Sequence, residues 1–206
     1  METNLNQNNL NINYDFKFII ITSNDKIDKD ILLSFFDGLI NNIKCIEINN
    51  GYLFIYNAKE DTIKFIDYYD SVSFDLGTSF KFFEGFKIRK ENAFYINDIL
   101  TLYYKYLENE NDSYYKVKDI IIRVHDEKEL KLLKQIVLDK YKDDQYFLNF
   151  VKGLFDNDLN VSKAANNLYM HRNTINKKLE SIENDTSLKL QKFHDAIAML
   201  ILIQIN

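Results

Sequence analysis

Between positions 172 and 177 the chain places Arg172, Asn173, Asn176 and Lys177, with Lys178 beside them and Ser162 and Lys163 a short way upstream. Groups of these types work by hydrogen bonding rather than by making covalent bonds. A guanidinium or ammonium reaches guanine acceptors or phosphate oxygens, and an asparagine amide pairs bidentately with adenine. At helical spacing Arg172, Asn173, Asn176 and Lys177 share one face of a helix expected over about 172–183. Lys178 lies on its flank, and Ile175, Leu179 and Ile182 form the opposite, apolar face. A shorter helix expected over about 161–168 opens with Ser162 and Lys163, a position suited to backbone phosphates through the free N–H groups of a helix start. It turns Ala164, Ala165 and Leu168 inward, and only Tyr169, Met170 and His171 separate the two helices. Short helices joined so tightly, with alanines where one must approach the other, have the geometry of a helix-turn-helix. A merely solvated helix face is the plain alternative, but it requires neither the alanine pair nor the short turn.

Two more helices complete a small all-α domain over 145–206. One is expected at about 144–156, burying Phe147, Phe150, Val151 and Leu154, and one at about 190–205. The apolar run of the last, "AIAMLILIQI", is about half the length a bilayer span needs, so it reads as a helix buried in its own domain or facing a partner. Upstream, the pattern alternates. "FKFIIIT" (16–22) reads as a strand and "DKDILLSFFDGLI" (28–40) as a helix. "IKCIEIN" and "YLFIYNA" flank Asn50-Gly51, which suits a type I′ hairpin turn. "DTIKFIDYY" (61–69) reads as a helix and "SVSFDLG" (71–77) as a strand. This βαββαβ order, with both crossovers on one side of an antiparallel sheet, is a ferredoxin-like α/β sandwich. Asn97 is placed to cap a helix through Leu107, "DEKELKLLKQIVLDKY" (126–141) is a helix with acids at its start, and 114–124 fits helix or strand. The expected organisation is a flexible lead-in at 1–13, an α/β domain at 14–95, a helical connector at 96–144 and the helix-turn-helix domain at 145–206.

Composition narrows the function classes. The chain has 206 residues, 46% hydrophobic, and a formal net charge of −5, the make-up of an ordinary globular protein. The charge is uneven: residues 146–206 hold 7 Lys and Arg against 6 Asp and Glu, whereas residues 1–145 hold 19 against 25. Cys45 is the single cysteine, and His125, His171 and His194 are scattered, so neither a disulfide nor metal-ligand spacing is present. The first residues, "METNLNQNNLNIN", have no signal-peptide pattern, and a reducing cytoplasm is the expected location. No phosphate-binding loop of the G-x-x-x-x-G-K-[ST] kind occurs among the five glycines.

The stretch "LNVSKAANNLYMHRNTINKKLESIENDTSLKL" resembles the C-terminal helix-turn-helix of the PucR/CdaR family of bacterial transcription regulators, and more distantly the Fis DNA-binding helices. The match runs through Asn160, Val161, Ser162, Ala164, Ala165, Leu168, His171, Arg172, Asn173, Thr174, Leu179, Ile182 and Glu183. It adds Thr174 to the DNA-facing set, which becomes Ser162, Lys163, Arg172, Asn173, Thr174, Asn176, Lys177 and Lys178. Two residues depart from the pattern. Tyr169 stands where Fis-like turns have Gly, although bulky residues also occur there in the PucR group, and Ser187 replaces a Gly after the recognition helix. In this family a degenerate GGDEF-like domain often precedes the helix-turn-helix. Here Asn50, Gly51, Tyr52, Leu53 and Phe54 stand where a diguanylate cyclase would carry its Gly-Gly-Asp-Glu-Phe, so the hairpin survives without the acids. The resemblance implies a non-enzymatic transcription regulator that needs no cofactor or metal. Its implied partners are double-stranded DNA, a second copy of the chain and a small-molecule effector of unassigned identity, with no membrane. The rival reading is a protein-interaction module that has lost DNA binding and keeps a degenerate cyclase-like domain; a nucleotide-processing enzyme comes third.

Overall fold

The computed structural model describes residues 12–205 apart from 38, 61–68, 70, 71, 73 and 75–78. The chain divides into two compact units between Ile120 and Ile121. In the first, β1 (Phe16–Thr22) is followed by α1 (Lys29–Phe36), a hairpin of β2 (Lys44–Ile48) and β3 (Gly51–Asn57), and then β4 (Lys81–Glu84). A 3-10 turn (Lys90–Tyr95) runs into α2 (Ile96–Tyr106), which returns to β5 (Tyr114–Lys116). The strands lie in the order β2-β3-β1-β4-β5. The first four are antiparallel neighbours, the arrangement expected of βαββαβ, and β5 adds a parallel edge to β4 through the α2 crossover.

Every residue of β1 is buried, because the sheet is covered on both faces rather than on one. Ile19 and Ile21 pack with Phe54, Phe82 and the α1 side chains Leu32 and Phe36. On the opposite face Phe18 stacks on Phe83, whose ring meets Tyr103 of α2 edge-on, and Thr22 Oγ1 lies 2.6 Å from the Tyr103 hydroxyl. Period-two alternation along one strand supplies both cores. The sandwich with one covered face is thereby corrected: α2, reached by the β4–β5 crossover, closes the second face.

Three local expectations also change. The hairpin turn is Asn49-Asn50, one residue earlier than the Asn50-Gly51 turn, since Ile48 pairs with Gly51 and only Asn50 of the two takes a positive φ, 56°. Gly51 instead heads β3, where an added Cβ would lie 1.9 Å from Ile21 O, so the glycine serves close backbone approach rather than a positive φ. The strand expected at 71–77 is replaced at its described positions by helix: Val72 and Phe74 are helical, Val72 is buried and Phe74 exposed. The fourth strand is "KFFE" at 81–84, which the alternation of Val72, Phe74 and Leu76 mimicked. The helix expected at 61–69 lies outside the described residues except for Tyr69, which is helical. Asn97 lies inside the first turn of α2 rather than at its cap position, because the 3-10 turn feeds straight into the helix with Tyr95 at its boundary. The ambiguous 114–124 stretch is strand and then helix, β5 followed by α3 (Val117–Arg123).

The second unit is helical: α4 (Glu127–Leu138), α5 (Gln145–Phe155), α6 (Val161–Asn167), α7 (Arg172–Thr186) and α8 (Phe193–Gln204). Asp126 caps α4 by accepting the Glu129 N–H. That helix packs on α8, and Lys134 Nζ donates to the Ile205 carbonyl at 2.6 Å, a cation at the helix C-terminus. The 96–144 stretch therefore falls in both units, with α2 in the first and α4 in the second. Ala196, Ala198, Met199 and Leu202 of α8 are buried. Among the described residues no helix is long and apolar enough to cross a membrane.

Candidate nucleic-acid interface

The helix pair that carries the polar face is fixed from three sides. Asp144 caps α5 by accepting the N–H groups of Tyr146 and Phe147, so the helix starts where Phe147, Phe150, Val151 and Leu154 can face inward. Its C-terminus is held by Asn157, only 7% exposed. The Asn157 Nδ2 donates to Gly153 O at 2.7 Å, and its Oδ1 accepts from Asn167 Nδ2 at 2.6 Å, which ties the end of α5 to the end of α6. Gly153 has a packing role as well, because a Cβ there would sit 2.5 Å from Leu168 Cδ2.

Asn160 begins α6, its Oδ1 accepting from both Ser162 N–H and Lys163 N–H at 3.1 Å. Those two groups are thus already engaged, which corrects the expectation that free N–H groups there would take a phosphate. Ser162 and Lys163 keep exposed side chains, and the Lys163 ammonium lies 3.6 Å from Asp158 in an exposed pair of little energetic weight. Ala164 and Ala165 are buried against α7, where Ile175, Leu179 and Ile182 supply the other half of the crossing.

The turn between α6 and α7 is closed by Leu168 N–H to Ala164 O and Met170 N–H to Ala165 O, both 2.9 Å. Tyr169 takes φ 53°, and Ser187, after α7, takes φ 58° with its N–H on Glu183 O. Both residues that replace glycine therefore sit in the left-handed region, which costs a residue with a Cβ about 1 kcal/mol. His171 caps α7, its Nδ1 accepting from Asn173 N–H at 3.2 Å.

On α7 the expected residues separate by exposure. Arg172, Asn173, Thr174, Asn176 and Lys177 are exposed on the first turns, away from Ile175 and Leu179. Lys178 is half-buried, its ammonium 4.5 Å from the centroid of Tyr146 and 5.6 Å from that of Phe150. A cation held over aromatic faces contributes to packing α5 on α7 more than to the open face. The acids of α7 are confined to its later turns, and two of them have cations beside them: Asp185 lies 2.7 Å from Lys140 Nζ and accepts from the Tyr141 hydroxyl at 2.6 Å, and Glu183 lies 3.5 Å from Lys189. The N-terminal half of α7 is thus a cationic and amide-bearing surface at the positive end of the helix dipole. A convex helix of this kind fits the width of a major groove, with Arg, Lys and Asn as base-edge or phosphate donors.

No local sequence pattern marks Asn157, Gly153 or the capping role of His171. Asn157 offers only an amide in the linker between two periodic helical segments, and its partner Asn167 lies a whole helix away, so no local rule joins them.

Residues 147–205 match the PucR C-terminal helix-turn-helix domain. The structure is similar to the crystal structure of a regulator of polyketide synthase expression from Bifidobacterium adolescentis, at 11% identity and a TM-score of 0.43, covering 93% of this chain and 80% of that one. No curated protein sequence matches the chain.

Proposed function

We propose, from the PucR-type helix-turn-helix domain at residues 147–205, that this chain is a sequence-specific DNA-binding transcription regulator that inserts the N-terminal half of α7 into the major groove. The observation that carries the reading is the exposed set Arg172, Asn173, Asn176 and Lys177 on a helix whose opposite face is locked by Ala164, Ala165, Ile175 and Leu179. Thr174, Ser162 and Lys163 border that set and suit phosphate contacts. One such helix reads only a few base pairs, so the binding form is a dimer whose two recognition helices address successive turns of the groove, about 34 Å apart.

The first unit serves dimerisation, effector sensing or both. Support for sensing is a polar cavity of about 170 Å³ at the end of β1, lined by residues including Thr22, Ser23, Asn50, Lys81, Glu108 and Asp112. Catalysis is not part of the reading, because the β2–β3 hairpin carries Tyr52 and Leu53 where the resemblance to a diguanylate cyclase would require the carboxylates that hold metal. Arg172→Ala and Lys177→Ala tested by mobility shift decide the matter. Both should weaken binding to a specific duplex by roughly tenfold or more while the melting temperature stays put, since neither side chain is buried. Unchanged shifts for both variants leave the interaction-module reading in its place.

A further inference from the structure

Tyr169 combines two features that are unfavourable in isolation. Its ring is 97% exposed, and its backbone is left-handed at φ 53°, in a turn position where glycine would relieve the strain. Among the described residues the other strongly exposed rings, Phe74 and Phe193, stand on helical backbone. The turn is not loose, because Tyr169 N–H donates to Asn166 O at 3.3 Å and Met170 N–H to Ala165 O at 2.9 Å, so the side chain projects from a fixed point. Lys163, Asn166 and Asn167 on α6 and Arg172 and Asn173 on α7 are all exposed, and Tyr169 lies between these two groups in the chain.

We infer that Tyr169 is a DNA-contacting residue that orients the recognition helix, laying its ring against the deoxyribose and donating its hydroxyl to a phosphate at the rim of the groove. A tyrosine suits that place, with an apolar body for the sugar and a polar tip for the phosphate. The inference rests on the proposed DNA binding by α7 and adds a residue that carries no charge. It therefore makes a distinct expectation: removing a neutral contact lowers affinity without changing the number of counterions released, whereas removing a phosphate-bound cation flattens the salt dependence.

The test uses the full chain and a labelled duplex selected by that chain from a random-sequence pool. Tyr169→Gly, Tyr169→Asn, Tyr169→Phe and Arg172→Ala are compared with the unaltered protein in affinity, salt dependence and melting temperature. Asparagine keeps the left-handed backbone at little cost and guards against a loosened turn. Tyr169→Gly and Tyr169→Asn are expected to lose about fivefold or more in affinity, with an unaltered salt slope and a melting temperature equal to or above that of the parent, and Tyr169→Phe to lose less. Parental affinity in either small variant overturns the inference. So does a loss of affinity that appears only together with a lowered melting temperature. If Arg172→Ala also binds like the parent, it is the DNA-binding reading that fails, and the two failures are told apart.

Discussion

Replacing Asn157 with alanine perturbs a buried amide that joins α5 to α6. In the native fold its Nδ2 satisfies Gly153 O and its Oδ1 satisfies Asn167 Nδ2. Asn167 is exposed and recovers its lost partner from water, so that half of the clamp costs little. The Gly153 carbonyl lies at a partly buried helix end and recovers less, and the truncated side chain leaves a small void in a site only 7% exposed. Each hydrogen bond is worth about 1 kcal/mol net, and a stranded buried acceptor adds to that, giving a destabilisation of about 2 kcal/mol. Native-state amide exchange on the full chain reads this locally. Amides of α5 and α6 should exchange about 30-fold faster in Asn157→Ala, while those of β1 and β3 in the other unit keep their rates. Asn167→Ala should cost about half as much, and the double variant should cost less than the two single effects combined, because one bond is shared. Unchanged protection in α5 and α6, or strictly additive single effects, would refute the clamp.

Ser187→Gly should stabilise the second unit by about 0.5–1 kcal/mol, read as a raised urea midpoint, because Ser187 holds φ 58° after α7. Gly51→Ala should be among the most damaging single changes in the first unit, costing about 3 kcal/mol or more in a denaturant melt, because its Cβ would lie 1.9 Å from Ile21 O. Burial drives the Tyr103 hydroxyl far above its ordinary value of 10.0, partly opposed by its hydrogen bond to Thr22. The folded state keeps that proton after the unfolded chain releases it, so stability is full below about pH 10 and falls as pH rises above it. Tyr103→Phe should weaken that alkaline fall in pH-dependent melting curves, at the cost of the Thr22 bond near neutrality.

The second unit was the more legible because its signals are local. Ala164, Ala165, Ile175, Leu179 and Ile182 announce their buried faces by helical spacing alone, and the glycine-replacing residues Tyr169 and Ser187 mark two of the left-handed positions, whereas Asp158 and Leu159 between α5 and α6 carry no such signal. The exposed donors Arg172, Asn173, Asn176 and Lys177 follow from the same wheel. Lys178 did not, since its placement depends on Tyr146 and Phe150 of another helix, and the engaged N–H groups of Ser162 and Lys163 depend on a cap by Asn160.

In the first unit the strands of β1 and the β2–β3 hairpin were readable, but the turn register was not. Asn49-Asn50 and Asn50-Gly51 are both good turn dipeptides, and the choice is made by the close approach of Gly51 to β1, a non-local contact. At Val72 and Phe74 the reading of 71–77 as a strand failed, because alternating apolar residues fit a short helix as well as a strand. "KFFE" carries no alternation at all, because a strand with both faces covered needs none.

The most direct measurement of the central claim is selection of duplexes from a random-sequence pool by the full chain, set beside the same selection with an Arg172→Ala/Lys177→Ala double variant. The unaltered protein should enrich a common motif with two half-sites about one helical turn apart, and the variant should lose it. No enrichment by the unaltered protein, or the same motif recovered with both proteins, would contradict DNA recognition through α7.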